Sequence, residues 1–94
     1  MILQDILYKV SIRSIKGNTN VVVNNLLIDS RQVKSGDCFI ALKGTKTNGQ
    51  EFIESAVEKG ASVIVCENLP LVINDNITYV LVENAAEAAG YMSH

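Results

Sequence analysis

The run "CFIALKGTKTNGQEFIESAVEKGASVIVCE", Cys38 to Glu67, reads as strand, helix, strand, and the fold class turns on that alternation. Cys38 to Leu42 is an unbroken apolar run, the pattern of a strand covered on both faces. Gly44 breaks it. Asn48 offers an N-cap, and Glu51, three residues on, completes a capping-box pattern. The helix this predicts places Phe52, Ile53, Ala56 and Val57 on one face and leaves Glu51, Glu54, Glu58 and Lys59 in solvent. Gly60 stands where such a helix ends, and "ASVIVCE" reads as a second buried strand.

Working outward toward the C-terminus, "NLPLVINDN" is a loop holding the only proline, Pro70, and "ITYVLVE" is a further strand. Asn84 caps a last helix, with Glu87 at the capping-box position. That helix reaches His94 without a stop signal, so the chain is expected to be the front piece of something longer. Toward the N-terminus, "VVVNNLLID" (Val21 to Asp29) predicts one strand, or two interrupted at Asn24-Asn25. "SIKGNTN" reads as a turn with Gly17-Asn18 at its tight point. Ile2, Leu3, Ile6 and Leu7 recur at the spacing of a short amphipathic helix. The close spacing around Gly36 predicts hairpin-like, antiparallel pairing of the flanking strands. The expected fold class is therefore α/β, a mixed sheet packed with a few helices.

Composition narrows the function. With 94 residues, 48% hydrophobic and 19% charged, the chain is one globular domain or part of a larger protein. The net charge of -2 comes with lysines and arginines that are scattered, not clustered. Nucleic acid is not an expected partner, because phosphate neutralisation needs concentrated positive charge. No apolar run reaches the length of a membrane span, and "MILQDILYKV" lacks the basic leader of a signal peptide, so no membrane is expected and the cytoplasm is. Cys38 and Cys66 lie far apart inside apolar runs and are expected as buried thiols, and no zinc-ligand spacing exists.

The chemistry-bearing residues bracket the first strand. Asp29-Ser30-Arg31 precedes it, with Asp29 placed to cap a turn or pair with Arg31, and with Ser30, at a strand end, projecting away from both. Gly44-Thr45-Lys46-Thr47 follows it, with hydroxyls, an ammonium group and amides able to donate to phosphate oxygens. The Asn48-capped helix adds a positive dipole end beside them. A serine nucleophile would need a histidine, and the only one is His94 at the end of the chain. GxxxxGK[ST] is absent, so ATP chemistry has no place here. The expected catalytic set is empty, and so is the metal set. What remains is binding.

Taken together, "LLIDSRQVKSGDCFIALKGTKTNGQEFIESAVEKGASVIVCE" resembles the N-terminal domain of the Mur ligases, and the MurE branch more than the MurF branch, because the residue before Asp-Ser-Arg is the apolar Ile28. The resemblance implies cytoplasmic peptidoglycan precursor synthesis. It further implies that ATP and magnesium, bound outside residues 1–94, would activate the carboxylate of UDP-MurNAc-L-Ala-D-Glu for attack by the amine of meso-diaminopimelate or L-lysine. Residues 1–94 would hold the UDP part of that substrate, inert alone, with central and C-terminal domains of the same chain as partners. Position by position, the resemblance assigns substrate contact to Ile28, Ser30, Thr45, Lys46 and Thr47. One departure is visible: Asn48-Gly49-Gln50 replaces the family's Asp-Gly-His or Asp-Gly-Arg, so a basic contact is lost at Gln50. The alternatives are the N-terminal domain of the D-Ala-D-Ala-adding MurF branch, or a free-standing nucleotide-sugar-binding module. A GxxGK[ST] stretch soon after His94 would separate ligase from module.

Overall fold

The computed structural model describes residues 2–7, 10–42 and 49–92, in the order α1 (Leu3–Ile6), β1 (Ile12–Lys16), β2 (Leu26–Leu27), β3 (Cys38–Ile40), α2 (Ile53–Glu58), β4 (Val63–Cys66), β5 (Thr78–Val82) and α3 (Ala85–Met92). The strands form one sheet in the order β1-β5-β4-β3-β2. β2 through β5 run parallel, and β1 closes the far side antiparallel to β5. The sheet is mixed, as expected, but for a different reason. Leu26 pairs with Cys38 and Leu27 with Phe39 in parallel register, so no hairpin exists at Gly36. The connection instead rises through a 3-10 turn at Ser30–Gln32 and crosses back over the sheet. Ten intervening residues are enough for that crossover, which spacing alone did not reveal.

The central strands are buried on both faces, and their period-two alternation sorts them into two cores. Cys38, Ile40, Val63, Val65, Val80 and Val82 point to one side, under Leu3 and Leu7 of the N-terminal segment and Ala85, Ala88 and Met92 of α3. Phe39, Ile64, Cys66 and Tyr79 point to the other, under Val33 and, from α2, Ile53 and Ala56. Phe52, expected on the buried face of that helix, is 39% exposed, because it belongs to a 3-10 turn (Gly49–Phe52) that precedes α2. Asn48, the predicted cap, lies outside the described residues.

Two further differences concern the N-terminal half. "SIKGNTN" is not all turn: β1 continues through Lys16 and only Gly17, at φ +119°, reverses the chain. The exposed Arg13 and Lys16 of Ile12-Arg13-Ser14-Ile15-Lys16 suit an edge strand, which is why it lacks the long apolar signature of the centre. "VVVNNLLID" contributes only an Ile2–Val22 bridge and the two residues of β2, with the break at Asn24-Asn25.

At the opposite end of the strands the turns are held by glycine and a buried acid. Asp37, 1% exposed, accepts from the Lys34 amide and from Asn25 Nδ2. Gly60 adopts φ +104° at the end of α2, and a Cβ there would lie 2.9 Å from Ser35 Cα. Gly60→Ala is therefore expected to lose about 2–3 kcal/mol, from left-handed strain plus a backbone clash, read as a lower urea midpoint.

Candidate functional site

The C-terminal ends of β2, β3, β4 and β5 share one edge of the sheet, the edge where open parallel sheets present their ligand-binding loops. Ile28 leaves β2 at that edge with 59% of its surface exposed, an apolar side chain the core does not use. Ser30 follows in the 3-10 turn and is only 7% exposed. It does not project from a strand end as expected. The turn tucks it inward while Ile28 faces out.

Asp29 holds that turn in shape. Its Oδ1 accepts from the Arg31 amide at 2.9 Å and from Arg31 Nε at 3.1 Å, and its Oδ2 accepts from Nη2 at 2.9 Å. Both sequence-level possibilities, cap and ion pair, are realised at once by one carboxylate. The hydrogen bonds from the Arg31 side chain, then from its amide, hold the Asp29 carboxyl below the usual value, and Asp29 in turn raises Arg31. Both groups are solvent-accessible, so the pair fixes local geometry more than it contributes stability.

β3 runs to the same edge, where the Ala41 amide donates to the Val65 carbonyl at 2.8 Å and Leu42 leads out of the sheet. Thr45, Lys46 and Thr47, the other predicted contacts, lie outside the described residues. The structure thus places Ile28 and Ser30 together on one turn. The dipole expected next to them is carried by a six-residue α2 that starts only at Ile53, with no side-chain cap.

β4 and β5 end at the same edge in a structural device. Glu67 Oε2 accepts from the Ala85 amide at 2.9 Å, and Asn84 Oδ1 from the Glu87 amide at 3.0 Å, so two of the orphan donors opening α3 are satisfied within the chain. Asn84 caps as predicted, whereas the part played by Glu67 was not legible, because its partner is 18 residues away.

The cysteines offer no nucleophile. Both are buried, and burial pushes the Cys38 thiol up to about 12, with help from the Asp37 charge, and the Cys66 thiol up to about 11. Among the described residues, no three His, Cys, Asp or Glu side chains gather as metal ligands. No described helix is long and apolar enough to cross a membrane.

Comparison with known proteins supplies the context. The family model described as "Mur ligase family, catalytic domain" matches residues 22–92. A UDP-N-acetylmuramoyl-L-alanyl-D-glutamate–2,6-diaminopimelate ligase from Bacteroides fragilis is 42% identical over 90 residues, which is 96% of this chain and 19% of that protein. The ligase of the same name from Cytophaga hutchinsonii is 39% identical over 94 residues, again across 19% of its length. Among solved structures, MurF from Acinetobacter baumannii superposes with a TM-score of 0.63 at 32% identity, over 73% of this chain and 15% of that one. MurF ligase from Thermotoga maritima, in complex with ADP, gives 0.65 at 27% identity over 76% and 16%. The chain spans about a fifth of the length of the curated relatives it matches.

Proposed function

The chain belongs to the Mur ligase family, and from that premise we propose that residues 1–94 are the N-terminal, UDP-substrate-binding domain of the ligase that adds the third residue to UDP-MurNAc-L-Ala-D-Glu in the cytoplasm. The observation that supports this reading is the turn after β2, where exposed Ile28 and inward Ser30 sit side by side on a turn braced by Asp29 and Arg31. Ile28 offers apolar cover to a uracil ring. Ser30 offers a hydroxyl and backbone groups to its polar edge. Thr45, Lys46 and Thr47 add donors for the diphosphate.

The division of labour follows from what the chain contains. Its sequence has no P-loop, and ATP and magnesium would be held by the rest of the complete ligase. When bound elsewhere in the complete ligase, ATP would supply the phosphoryl group that activates the carboxylate. The role of this domain is to anchor the far end of a long substrate, so that the reacting carboxylate is positioned by remote binding energy. The sequence relatives carry 2,6-diaminopimelate in their names, which favours diaminopimelate over lysine as the amine. They also favour the MurE over the MurF branch, the solved MurF structures being relatives of the same fold.

Binding tests the reading directly. Titrating UDP-MurNAc-L-Ala-D-Glu into the isotopically labelled chain is expected to shift the amide resonances of Ile28 and Ser30 in a saturable way; saturable binding that leaves both unmoved would reject the placement. In the complete ligase, Ser30→Ala is expected to raise the substrate KM about fivefold, the worth of roughly one hydrogen bond, with kcat changed less. A collapse of kcat at constant KM would reject an anchoring role.

A further inference from the structure

Three hydrogen bonds donated by main-chain amides close the turn after β2, and they are unequal. The Gln32 amide donates to the Asp29 carbonyl at 3.1 Å and the Val33 amide to the Ser30 carbonyl at 3.3 Å, while the Arg31 amide donates to Asp29 Oδ1 at 2.9 Å. The bond that uses a side chain is the shortest. It also takes up an amide that a helical turn this short leaves without a main-chain partner. The parallel pairing of Leu27 with Phe39 anchors the segment on one side, and Val33, 4% exposed in the layer under α2, anchors it on the other. The course between those anchors is set locally.

Asp29 makes a second contact that counts for less. Arg31 Nε and Nη2 reach its two carboxylate oxygens at 3.1 and 2.9 Å, yet the Arg31 side chain is 85% exposed, so water and salt screen the pair. The residue that the turn controls is Ser30. It is nearly buried, and its hydroxyl has no hydrogen-bond partner among the described residues. A hydroxyl enclosed in this way with its bonding capacity unspent is aimed only by the backbone that carries it.

Given the substrate-binding role proposed for this turn, on which the inference rests, we infer that Asp29 is a positioning residue for the substrate: its Oδ1, as the cap of the Arg31 amide and not as the partner of the guanidinium, holds Ser30 where the uracil meets it. Asp29 acts through Ser30 and makes no ligand contact of its own. The hydroxyl is already in place when the ligand arrives, so less of the binding energy goes into ordering the turn.

Steady-state kinetics on the complete ligase, with UDP-MurNAc-L-Ala-D-Glu as the varied substrate, tests this. Asp29→Ala is expected to raise KM about fivefold, as Ser30→Ala does, with kcat changed less. Asp29→Asn keeps an oxygen for the Arg31 amide, and Arg31→Ala keeps the amide itself, so each is expected to stay within about twofold of the parent. Because the effect passes through Ser30, Asp29→Ala/Ser30→Ala is expected to match either single variant and to fall well short of their product, about 25-fold. Reaching that product would overturn the inference, as would an Arg31→Ala as damaging as Asp29→Ala. A kcat that falls in step with the melting temperature in Asp29→Ala would also overturn it, by marking a merely structural role. Ser30→Ala with unchanged KM would reject the substrate reading of the turn, and the inference with it. A damaging Ser30→Ala beside a silent Asp29→Ala would overturn the positioning role alone.

Discussion

Phe39→Ala is expected to bring this domain to the edge of unfolding. Phe39 is 1% exposed at the middle of β3, between the parallel neighbours Leu27 and Ile64, and it fills the layer under α2. Removing a buried aromatic ring costs about 3–5 kcal/mol, the lost transfer energy plus the void left behind. The total stability of a domain is about 5–15 kcal/mol, and a chain this short sits toward the low end. The ring is flanked by strands held in place on both sides, so little collapse into the void is available. The measurement is the urea midpoint by far-ultraviolet circular dichroism, with Val72→Ser as the comparison. Val72 is 77% exposed and its replacement is expected to change stability by no more than about 0.5 kcal/mol. A Phe39→Ala midpoint within error of the parent would mean that the two-faced burial of β3 is wrong.

The same residue shows why the centre of the fold was readable in advance. The apolar run Cys38 to Leu42, bounded by Asp37 and Lys43, satisfies two cores at once, so neither face can tolerate a polar side chain, and the pattern survives any detail of packing. β4 and β5 announce themselves in the same way. The edges do not. β1 pairs on one side only and carries Arg13 and Lys16, so its sequence looks like the turn that follows it. β2 is two residues long, too short to generate any period, and its direction relative to β3 depends on a crossover through Ser30–Gln32 that only the three-dimensional path reveals.

At the candidate site the legible part was chemical and the illegible part conformational. Asp-Ser-Arg suggested a brace, and Asp29 indeed grips Arg31 through both backbone and side chain. Ser30 does turn away from the solvent-accessible Asp29–Arg31 pair, but through a 3-10 turn that buries it and not through strand alternation. The exposure of the loop after β4 was hidden for a related reason. Glu51, Glu54 and Glu58 have the spacing of any solvated helix face, and Leu69, Leu71 and Val72 resemble core residues until their exposure is known. Nothing in a one-dimensional pattern distinguishes an apolar side chain that found a core from one that did not.

Replacing Thr45 and Lys46 together by alanine is expected to be the most damaging change to substrate binding that leaves the fold intact. Of the five predicted contacts Lys46 carries the strongest donor, and Thr45 adds a hydroxyl beside it. An ammonium group to a phosphate oxygen is a charge-assisted hydrogen bond, and such bonds contribute about 1.5–3 kcal/mol each, against roughly 1 kcal/mol for the neutral hydroxyl of Ser30. Leu42 leaves β3 at the sheet edge from which Ile28 and Ser30 also emerge, and Thr45 and Lys46 come three and four residues later in the sequence. In the complete ligase the double variant is expected to raise KM for UDP-MurNAc-L-Ala-D-Glu about 30- to 100-fold while kcat falls far less, because the lost interaction is the same in ground and transition states. Lys46→Arg retains the charge and is expected to recover most of the affinity. The salt dependence supplies an independent readout: KM of the parent should rise with ionic strength, and that slope should flatten in the double variant, since the charge that is screened has been removed. Unchanged KM with an unchanged salt slope would place the diphosphate elsewhere and leave Ile28 and Ser30 without the substrate they are proposed to hold.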